Sequence, residues 1–260
     1  MRPDDEARDA RGDLSTADAP PSGTASVWRA RTVAALPGMV LIVVGVLGFL
    51  VVYDSVRERE DLWFTDDVVL NWMIAHRSET ATTVLTFITN MFGPVVLPVL
   101  VAGGCLWWGL ASKRWWEPGL LVGAMITSTL VSTLLKLLVA RPRPDESDMV
   151  VAGVEHSFSF PSGHTIGAAT LVLVGGYLVW RQWKEGRQRR LVFVVWVVVS
   201  VVVVAVVGGS RLYLGYHFVT DVLAGASLAV AVLGGVVVID RLHDLRVRAR
   251  SGQGVGPAPR

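Results

Sequence analysis

Residues 191–209 read LVFVVWVVVSVVVVAVVGG, a stretch without a single charged side chain. A helix that spans a membrane needs roughly 20 consecutive apolar residues, because the hydrocarbon core of a bilayer is about 30 Å thick. The stretch meets that requirement and is predicted to cross a membrane. Five further apolar stretches of comparable length lie on either side of it, at residues 36–53, 84–111, 118–139, 164–180 and 222–240. The sequence therefore predicts an all-α bundle of six transmembrane helices.

The composition agrees with a membrane protein and excludes several other classes. The 260 residues are 52% hydrophobic and only 18% charged, which is too apolar for an ordinary soluble domain. The basic residues form separate short clusters instead of one stripe, so nucleic acid is not an expected partner. Cys105 is the only cysteine, which excludes an internal disulfide and a zinc site built from several thiolates. Its expected role is packing.

The chain is divided into a membrane domain at residues 34–240 and two tails. Residues 1–33 are rich in Asp, Arg, Ser and Pro and lack hydrophobic periodicity, which predicts a disordered cytoplasmic tail. Residues 241–260 are predicted to form a basic cytoplasmic tail. Between the first two spans, residues 63–74 mix apolar with acidic and polar side chains. This pattern predicts a helix lying in the membrane interface, with a solvent-exposed helix as the alternative.

The positions of the basic loops predict how the bundle is oriented. Six crossings bring all four basic clusters, at residues 29–31, 113–114, 181–190 and 241–250, to the same side. The positive-inside rule makes that side cytoplasmic, so both termini are expected inside a multi-pass protein of the plasma membrane. Residues 54–83, 140–163 and 210–221 then lie together on the outer face. These three segments carry most of the polar chemistry of the chain.

The first chemical stretch contains Lys136 and Arg143-Pro144. Lys136 lies between two pairs of leucines, so its ammonium group has to be solvated, paired or functional. Snorkelling to the interface is the structural alternative. Pro142 and Pro144 disfavour a continuous helix. Lys136 is therefore expected in the last helical turn, with Arg143 on a rigid turn that returns over the helix end, where both cations can meet one dianion.

The second stretch is Pro161-Ser162-Gly163-His164. Ser162 is a favourable N-cap, Gly163 allows a ligand to approach the backbone closely, and the following helix directs unpaired N–H groups outward. Such a helix start can bind an anion, although a Ser-Gly turn before a helix is also common for purely structural reasons. An imidazole at His164 could donate a proton to a leaving oxygen there.

The third stretch contains Ser210-Arg211, His217 and Asp221. On a helix, His217 and Asp221 would share a face, so the carboxylate could accept the Nδ1 proton and leave Nε2 free to attack. Metal ligation by this pair and helix capping by Asp221 are the alternatives. Two histidines, three cations and one carboxylate among apolar runs together indicate a phosphate-handling site at a membrane edge. His76, His156 and His243 are interpreted as surface histidines without partners.

These three stretches resemble the signature of the type 2 phosphatidic acid phosphatase superfamily. That signature reads K-x6-R-P, then P-S-G-H, then S-R-x5-H-x3-D, and each part is complete in this chain. The resemblance covers about residues 60–240. Arg141-Pro142 is a second Arg-Pro pair, but the spacing from Lys136 selects Arg143-Pro144 and leaves Arg141 as an accessory cation at most.

The resemblance implies a metal-independent phosphatase without a cofactor. His217 would attack phosphorus, Asp221 would orient and charge His217, and His164 would protonate the leaving group before water hydrolyses a phosphohistidine. The remaining motif residues would hold the phosphoryl oxygens: Lys136, Arg143, Ser162, Gly163 and Arg211.

A site at the membrane edge suits a lipid phosphate as substrate. The candidates are phosphatidic acid and related glycerolipid phosphates, sphingoid phosphates, and polyprenyl phosphates or diphosphates such as undecaprenyl diphosphate. The motifs do not distinguish among these lipids, and the sequence does not determine an oligomeric state. Two other functions use the same residues: a phosphotransferase that passes the phosphoryl group to a second acceptor, and a non-enzymatic membrane protein that binds anionic lipid.

Overall fold

A computed structural model describes residues 22–151, 153 and 155–251, and eight α-helices make up most of this part of the chain. One short 3-10 helix, Glu146–Asp148, lies in the loop after the fifth α-helix. The α-helices are α1 (Ser22–Glu58), α2 (Trp63–Ala75), α3 (Glu79–Met91), α4 (Val96–Ser112), α5 (Trp116–Val139), α6 (Gly163–Trp180), α7 (Arg187–Tyr213) and α8 (Val219–Arg250). Since the described residues contain no strand, the predicted all-helical class is confirmed.

Five of the helices, α1 and α5 to α8, are long and apolar enough to cross a membrane. Helices α3 and α4 pass the same test only as a pair, and they are bent by 51° where they meet. The span predicted at residues 84–111 is therefore interrupted. The break contains Gly93-Pro94, and a proline lacks the N–H that would continue the helical ladder. The described chain has five candidate spans, or six if the bent pair counts as one.

Helices α1 and α8 lie side by side, and small residues bring their backbones together. A Cβ atom added to Gly234 would lie 2.5 Å from the carbonyl oxygen of Gly38, and one added to Gly45 would lie 2.4 Å from the backbone nitrogen of Ala231. Both distances are too short for a side chain. Close backbone approach of this kind is how helices associate in a bilayer, where lipid is as apolar as leucine.

Helix α6 lies centrally and packs against α5, α7 and α8. Its buried residues Val174, Tyr177 and Leu178 belong to the largest apolar cluster of the protein. Because successive helices of the bundle run in opposite directions, the ends of α5 and α7 meet the starts of α6 and α8 at one end of the molecule. All three chemical stretches lie at this end.

Two boundaries differ from the sequence prediction. Helix α1 begins at Ser22, inside the segment predicted to be a disordered tail, because the alanines that precede the apolar run favour helix. Helix α8 continues to Arg250, into the predicted basic tail. The rest of both tail predictions concerns residues 1–21 and 252–260, which lie outside the described residues. The helix predicted at residues 63–74 is present as α2, and it packs against α7 and α8.

Candidate active site

The three motif stretches come into direct contact at one end of the bundle. Nη1 of Arg143 lies 3.2 Å from Nε2 of His217. The backbone N–H of Ser162 donates to the carbonyl oxygen of Asp221 over 3.0 Å. Lys136 reaches across from α5, and its Nζ lies 3.4 Å from the carbonyl oxygen of Ser159. Residues far apart in sequence thus form one cluster of side chains and backbone groups.

His217 and Asp221 form a buried pair, although His217 does not lie on a helix. It belongs to the loop before α8, which begins at Val219, so the expectation that both residues share a helical face is wrong. The contact forms because Asp221, in the first turn of α8, turns back toward the loop. Its Oδ2 lies 3.1 Å from Nδ1 of His217 and accepts a 2.9 Å hydrogen bond from the N–H of Phe218. Asp221 therefore caps the helix and orients the imidazole.

The hydrogen bonds around His217 define which nitrogen carries the proton. The guanidinium of Arg143 can only donate, so Nε2 at 3.2 Å has to be the acceptor. Nδ1 then carries the proton and donates a hydrogen bond to Oδ2 of Asp221. This tautomer leaves the Nε2 lone pair toward the cations, which is the arrangement that a nucleophilic imidazole requires.

The surroundings of His217 keep its imidazole neutral. Its side chain is 1% exposed, and burial holds its pKa well below the ordinary value, followed in size by the positive charges of Arg143, Arg211 and Lys136. Burial and nearby cations both disfavour the imidazolium form. The Nε2 lone pair is therefore unprotonated at neutral pH, and in this structure it accepts the hydrogen bond from Arg143.

Backbone carbonyls hold the first two cations in place. Arg143 donates to the carbonyl oxygens of Ser157 and Tyr216, each over 2.7 Å. Lys136 donates to the carbonyl oxygen of Phe158, next to its contact with Ser159. The loop after α5 folds back over the helix end and meets the ammonium group of Lys136. Lys136 therefore does not need to snorkel to the interface to find polar partners.

Arg211, at the end of α7, is the third cation. Its guanidinium donates to Oγ1 of Thr89 over 3.2 Å and lies 4.5 Å from the centre of the Tyr216 ring. It also donates to the carboxylate of Glu155. The same carboxylate accepts a 2.9 Å bond from Arg143, so Glu155 joins two of the three cations. One carboxylate among three cations leaves two positive charges, which match a phosphate dianion.

Ser162 acts as the N-cap of α6, as the sequence predicts. Its Oγ accepts from the N–H of Thr165 at 3.5 Å, and its own N–H is bonded to Asp221. Ser162 is fully buried, and neither of these groups reaches the cavity beside the motifs. This placement does not support the expected contact between the Ser162 side chain and phosphate. Gly163 and His164, the next two residues, line the cavity.

The cavity beside the motif residues measures about 460 Å³. Lys136, Arg143, His164 and His217 line its polar part, together with Glu155. The bend between α3 and α4 closes it from one side: a Cβ atom added to Gly93 would lie 3.7 Å from Nε2 of His164. His156 is exposed, in agreement with its interpretation as a surface histidine, and it also lines the cavity.

Arg141 is not an accessory cation of the predicted phosphate site. Its buried side chain lies behind that site and connects two carboxylates. Its guanidinium donates to Oδ1 of Asp221 over 2.8 Å and to Oδ2 of Asp66 over 2.7 Å. The planar group lies against the rings of both Trp63 and Phe218, at 4.5 and 4.3 Å from their centres. Asp66 also accepts from the backbone N–H of Thr220. Arg141 thus fixes α2 and Asp221 to one another.

Sequence reasoning assigned no role to Asp66, Glu155 or Ser159. The hydroxyl of Ser159 donates to Oδ2 of Asp221. A signal existed for Asp66, because a carboxylate within an apolar helix needs a partner when buried. Glu155 and Ser159 lie in an irregular loop, where sequence periodicity carries no information. Within residues 22–151, 153 and 155–251, no group of three or more His, Cys, Asp or Glu side chains is arranged to hold a metal ion.

Comparison with known proteins defines the class to which this fold and site belong. The family model of the PAP2 superfamily matches residues 117–243. Phosphatidylglycerophosphatase B of Bacillus subtilis (strain 168) is 32% identical over 169 residues, which cover 64% of this chain and 78% of that protein. The chain belongs to the PAP2 superfamily. It is a multi-pass membrane protein and an enzyme of the lipid phosphatase class.

One solved structure agrees with this assignment, and a second one is less similar. The crystal structure of a transmembrane PAP2 type phosphatidylglycerolphosphate phosphatase from Bacillus subtilis is 29% identical, with a TM-score of 0.64, and the match covers 76% of this chain and 95% of that one. A crystal structure of Aquifex aeolicus LpxE is 22% identical, with a TM-score of 0.46, over 69% of this chain and 95% of that one.

Replacing Arg141 by alanine should destabilise the protein. The change leaves the buried carboxylates of Asp66 and Asp221 without their shared cation, which costs about 3–5 kcal/mol in free energy of unfolding. It should also lower kcat, since Asp221 loses one of the groups that orient it. Unfolding in detergent and steady-state kinetics measure the two effects. Arg187→Ala, an exposed change at the opposite end of the bundle, should stay within about 0.5 kcal/mol.

The pH dependence of kcat/KM should reflect the lowered pKa of His217. A nucleophile has to be deprotonated, so the acid limb should have its midpoint below about 6.5, the ordinary imidazole value. Arg143→Gln removes one of the positive charges and should move this midpoint upward, in addition to lowering the rate. The ionisation of the substrate is common to both enzymes, so a difference between their acid limbs reports a group of the enzyme, and His217, the nucleophile that the motif predicts, is the group that has to be deprotonated. An identical midpoint in both would contradict the electrostatic explanation.

Proposed function

We propose that this protein is a metal-independent phosphatase that hydrolyses a lipid phosphate through a phosphohistidine on His217. The observation that carries the proposal is the hydrogen-bonded order Asp221, His217, Arg143. Nδ1 of His217 is bound to the carboxylate, and Nε2 meets a guanidinium in the wall of the cavity. Asp221 therefore orients the imidazole from one side, and the opposite edge of the ring faces the proposed anion site.

In the first step, the Nε2 lone pair of His217 attacks phosphorus, and the bond between phosphorus and the lipid oxygen breaks. His164, which lines the same cavity, gives its proton to the departing oxygen. Asp221 stabilises the positive charge that develops on the imidazole of His217. In the second step, His164 takes a proton from water, the water oxygen bonds to phosphorus, and the bond between phosphorus and nitrogen breaks to release phosphate.

The three cations supply the electrostatic part of this mechanism. Lys136 and Arg143 line the cavity where negative charge would spread over the phosphoryl oxygens, and the N–H groups of Gly163 and His164 at the start of α6 extend that surface. Arg211 does not line the cavity, and it adds its positive charge from behind Glu155. Donors that are already fixed by backbone carbonyls need little reorganisation during the reaction. Charge neutralisation by these side chains would make a metal ion unnecessary.

The shape of the cavity favours a lipid substrate. Below its charged end, the cavity is lined by apolar side chains from three helices, including Leu97, Met125 and Ile166. An amphiphile can place its phosphate among the cations while its chains remain in apolar surroundings. The names of the relatives in Bacillus subtilis also support a substrate whose phosphate is carried on a glycerolipid. Polyprenyl phosphates and diphosphates are the other candidate class of lipid.

We further propose that the site faces away from the cytoplasm. The basic segments at residues 113–114, 181–190 and 241–250 lie at the end of the bundle opposite to the site, and basic loops remain preferentially on the cytoplasmic side. A lipid phosphate in the outer leaflet of the plasma membrane would then reach the cavity directly.

Purified protein in detergent should release inorganic phosphate from a lipid phosphate in the presence of EDTA. His217→Ala removes the nucleophile and should lower the rate by at least about a thousandfold. His76→Ala is the matched control, because His76 is an exposed histidine bonded to the carbonyl oxygen of Trp72. A panel of glycerolipid, sphingoid and polyprenyl phosphates identifies the preferred lipid.

Three results of this assay would count against the proposal. A strict requirement for an added divalent metal would contradict the metal-independent mechanism, and full activity of His217→Ala would exclude this nucleophile. If phosphate appeared on an added alcohol or lipid acceptor without release of inorganic phosphate, the enzyme would be a transferase that uses the same histidine.

The orientation can be tested with single cysteines, because native Cys105 is buried within α4 and gives little background. Glu146→Cys, in the exposed loop at the site end, should react with a membrane-impermeant maleimide on intact cells. Arg187→Cys, at the opposite end, should react only after the cells are opened. The reverse pattern would place the site on the cytoplasmic side.

A further inference from the structure

Every N–H group of Arg143 is bonded within the protein. A guanidinium carries five N–H donors. Three of them donate to the carbonyl oxygens of Ser157 and Tyr216, each over 2.7 Å, and to Oγ of Ser157 over 3.1 Å. The other two donate to Oε2 of Glu155 over 2.9 Å and to Nε2 of His217 over 3.2 Å. A phosphate therefore binds Arg143 only by replacing one of these acceptors.

Glu155 and His217 are the two acceptors that a phosphate can replace. Both are side chains that line the cavity and can turn aside, whereas the carbonyl oxygens of Ser157 and Tyr216 belong to the backbone. Nε2 of His217 has to be released in any case, because the proposed reaction uses its lone pair. Of the five acceptors, the Glu155 carboxylate is the one with a full negative charge. A phosphate dianion competes with it directly for the same guanidinium.

Glu155 also separates Arg211 from the cavity. One oxygen of its carboxylate accepts from Arg143 and the other from Arg211, so the carboxylate joins two guanidinium groups as two oxygens of a phosphate could. The side chain of Arg211 is 3% exposed and does not line the cavity, whereas that of Glu155 is 19% exposed and does. Arg211 becomes accessible to a ligand only when Glu155 moves.

We propose that Glu155 is an internal competitor of phosphate, which holds Arg143 and Arg211 in the empty site and displaces inorganic phosphate after hydrolysis. This inference rests on the proposed function, because it needs the phosphoryl group to bind at the cationic end of the cavity. Competition lowers the apparent affinity for phosphate by the fraction of time in which the arginines are free. A carboxylate that is bound for about 90% of the time weakens phosphate binding about tenfold. The product can then leave the site.

The first test measures inhibition of lipid phosphate hydrolysis by inorganic phosphate at fixed pH and ionic strength. Glu155→Gln keeps the size of the side chain and removes its charge. It should lower the inhibition constant KI for phosphate about tenfold and lower KM for the lipid phosphate as well. If Glu155 served only to position the two arginines, the same change would raise both constants.

Glu146→Gln is the matched control for the change in net charge. Glu146 lies in the same loop after α5 and is exposed, so its charge is screened by solvent. This variant should change KI and KM less than about twofold. A fall in KI equal to that of Glu155→Gln would show that a long-range change in charge is responsible, and would overturn the inference.

Thermal unfolding in detergent measures phosphate binding without turnover, because a ligand that binds the folded protein raises Tm. Without phosphate, Glu155→Gln should have a lower Tm than wild type, since buried Arg211 loses its carboxylate. Inorganic phosphate should then stabilise this variant at concentrations about tenfold lower than those that stabilise wild type. Equal concentrations for both proteins would contradict the competition.

Glu155→Asp keeps the charge and is one methylene shorter, so it joins the two arginines less well. Its KI for phosphate should lie between those of wild type and Glu155→Gln, and this variant provides the test if the glutamine variant does not fold. A KI equal to or above that of wild type would overturn the inference while wild type still hydrolyses lipid phosphate. Absence of hydrolysis by wild type would instead refute the proposed function.

Discussion

Asp221 has no exposed surface, and both oxygens of its carboxylate are bound by other parts of the chain. Oδ1 accepts from Arg141, while Oδ2 accepts from Ser159, from the N–H of Phe218 and from His217. A charge buried this deeply is tolerated only when it is paired and fully hydrogen-bonded. The loops and helices that supply those partners therefore have to meet at Asp221, and the geometry of the site depends on this requirement.

The pairing of Asp221 also connects the helical bundle to the proposed catalytic residues. Arg141 neutralises Asp221 and Asp66 together, so helix α2 is held against the start of α8 by a charge network behind the imidazole. In front of the imidazole, three cations and Glu155 leave an excess of positive charge toward the cavity. Negative charge behind His217 and positive charge before it would suit the proposed role of His217 as a nucleophile toward a phosphate dianion.

Much of this could be predicted from sequence. The apolar runs predicted the helices, because length and hydropathy are local properties, and the topology that they imply predicted that Lys136, Arg143 and His217 would lie at the same end of the bundle. Local pattern failed where the backbone leaves a regular helix. The break at Gly93-Pro94, the position of His217 in a loop and the inward turn of Ser162 depend on contacts between segments.

The sequence by itself determined the helical class and the places of the apolar segments, and it predicted the set of side chains that are proposed to bind and transfer a phosphoryl group. These features could be predicted because periodicity, length and residue type are local properties of the sequence. Only the tertiary structure decided that Arg141 supports Asp221 and that Glu155 joins two arginines. Those are pairings between residues distant in sequence, and packing of the helices alone selects which of the possible partners come within hydrogen-bonding distance.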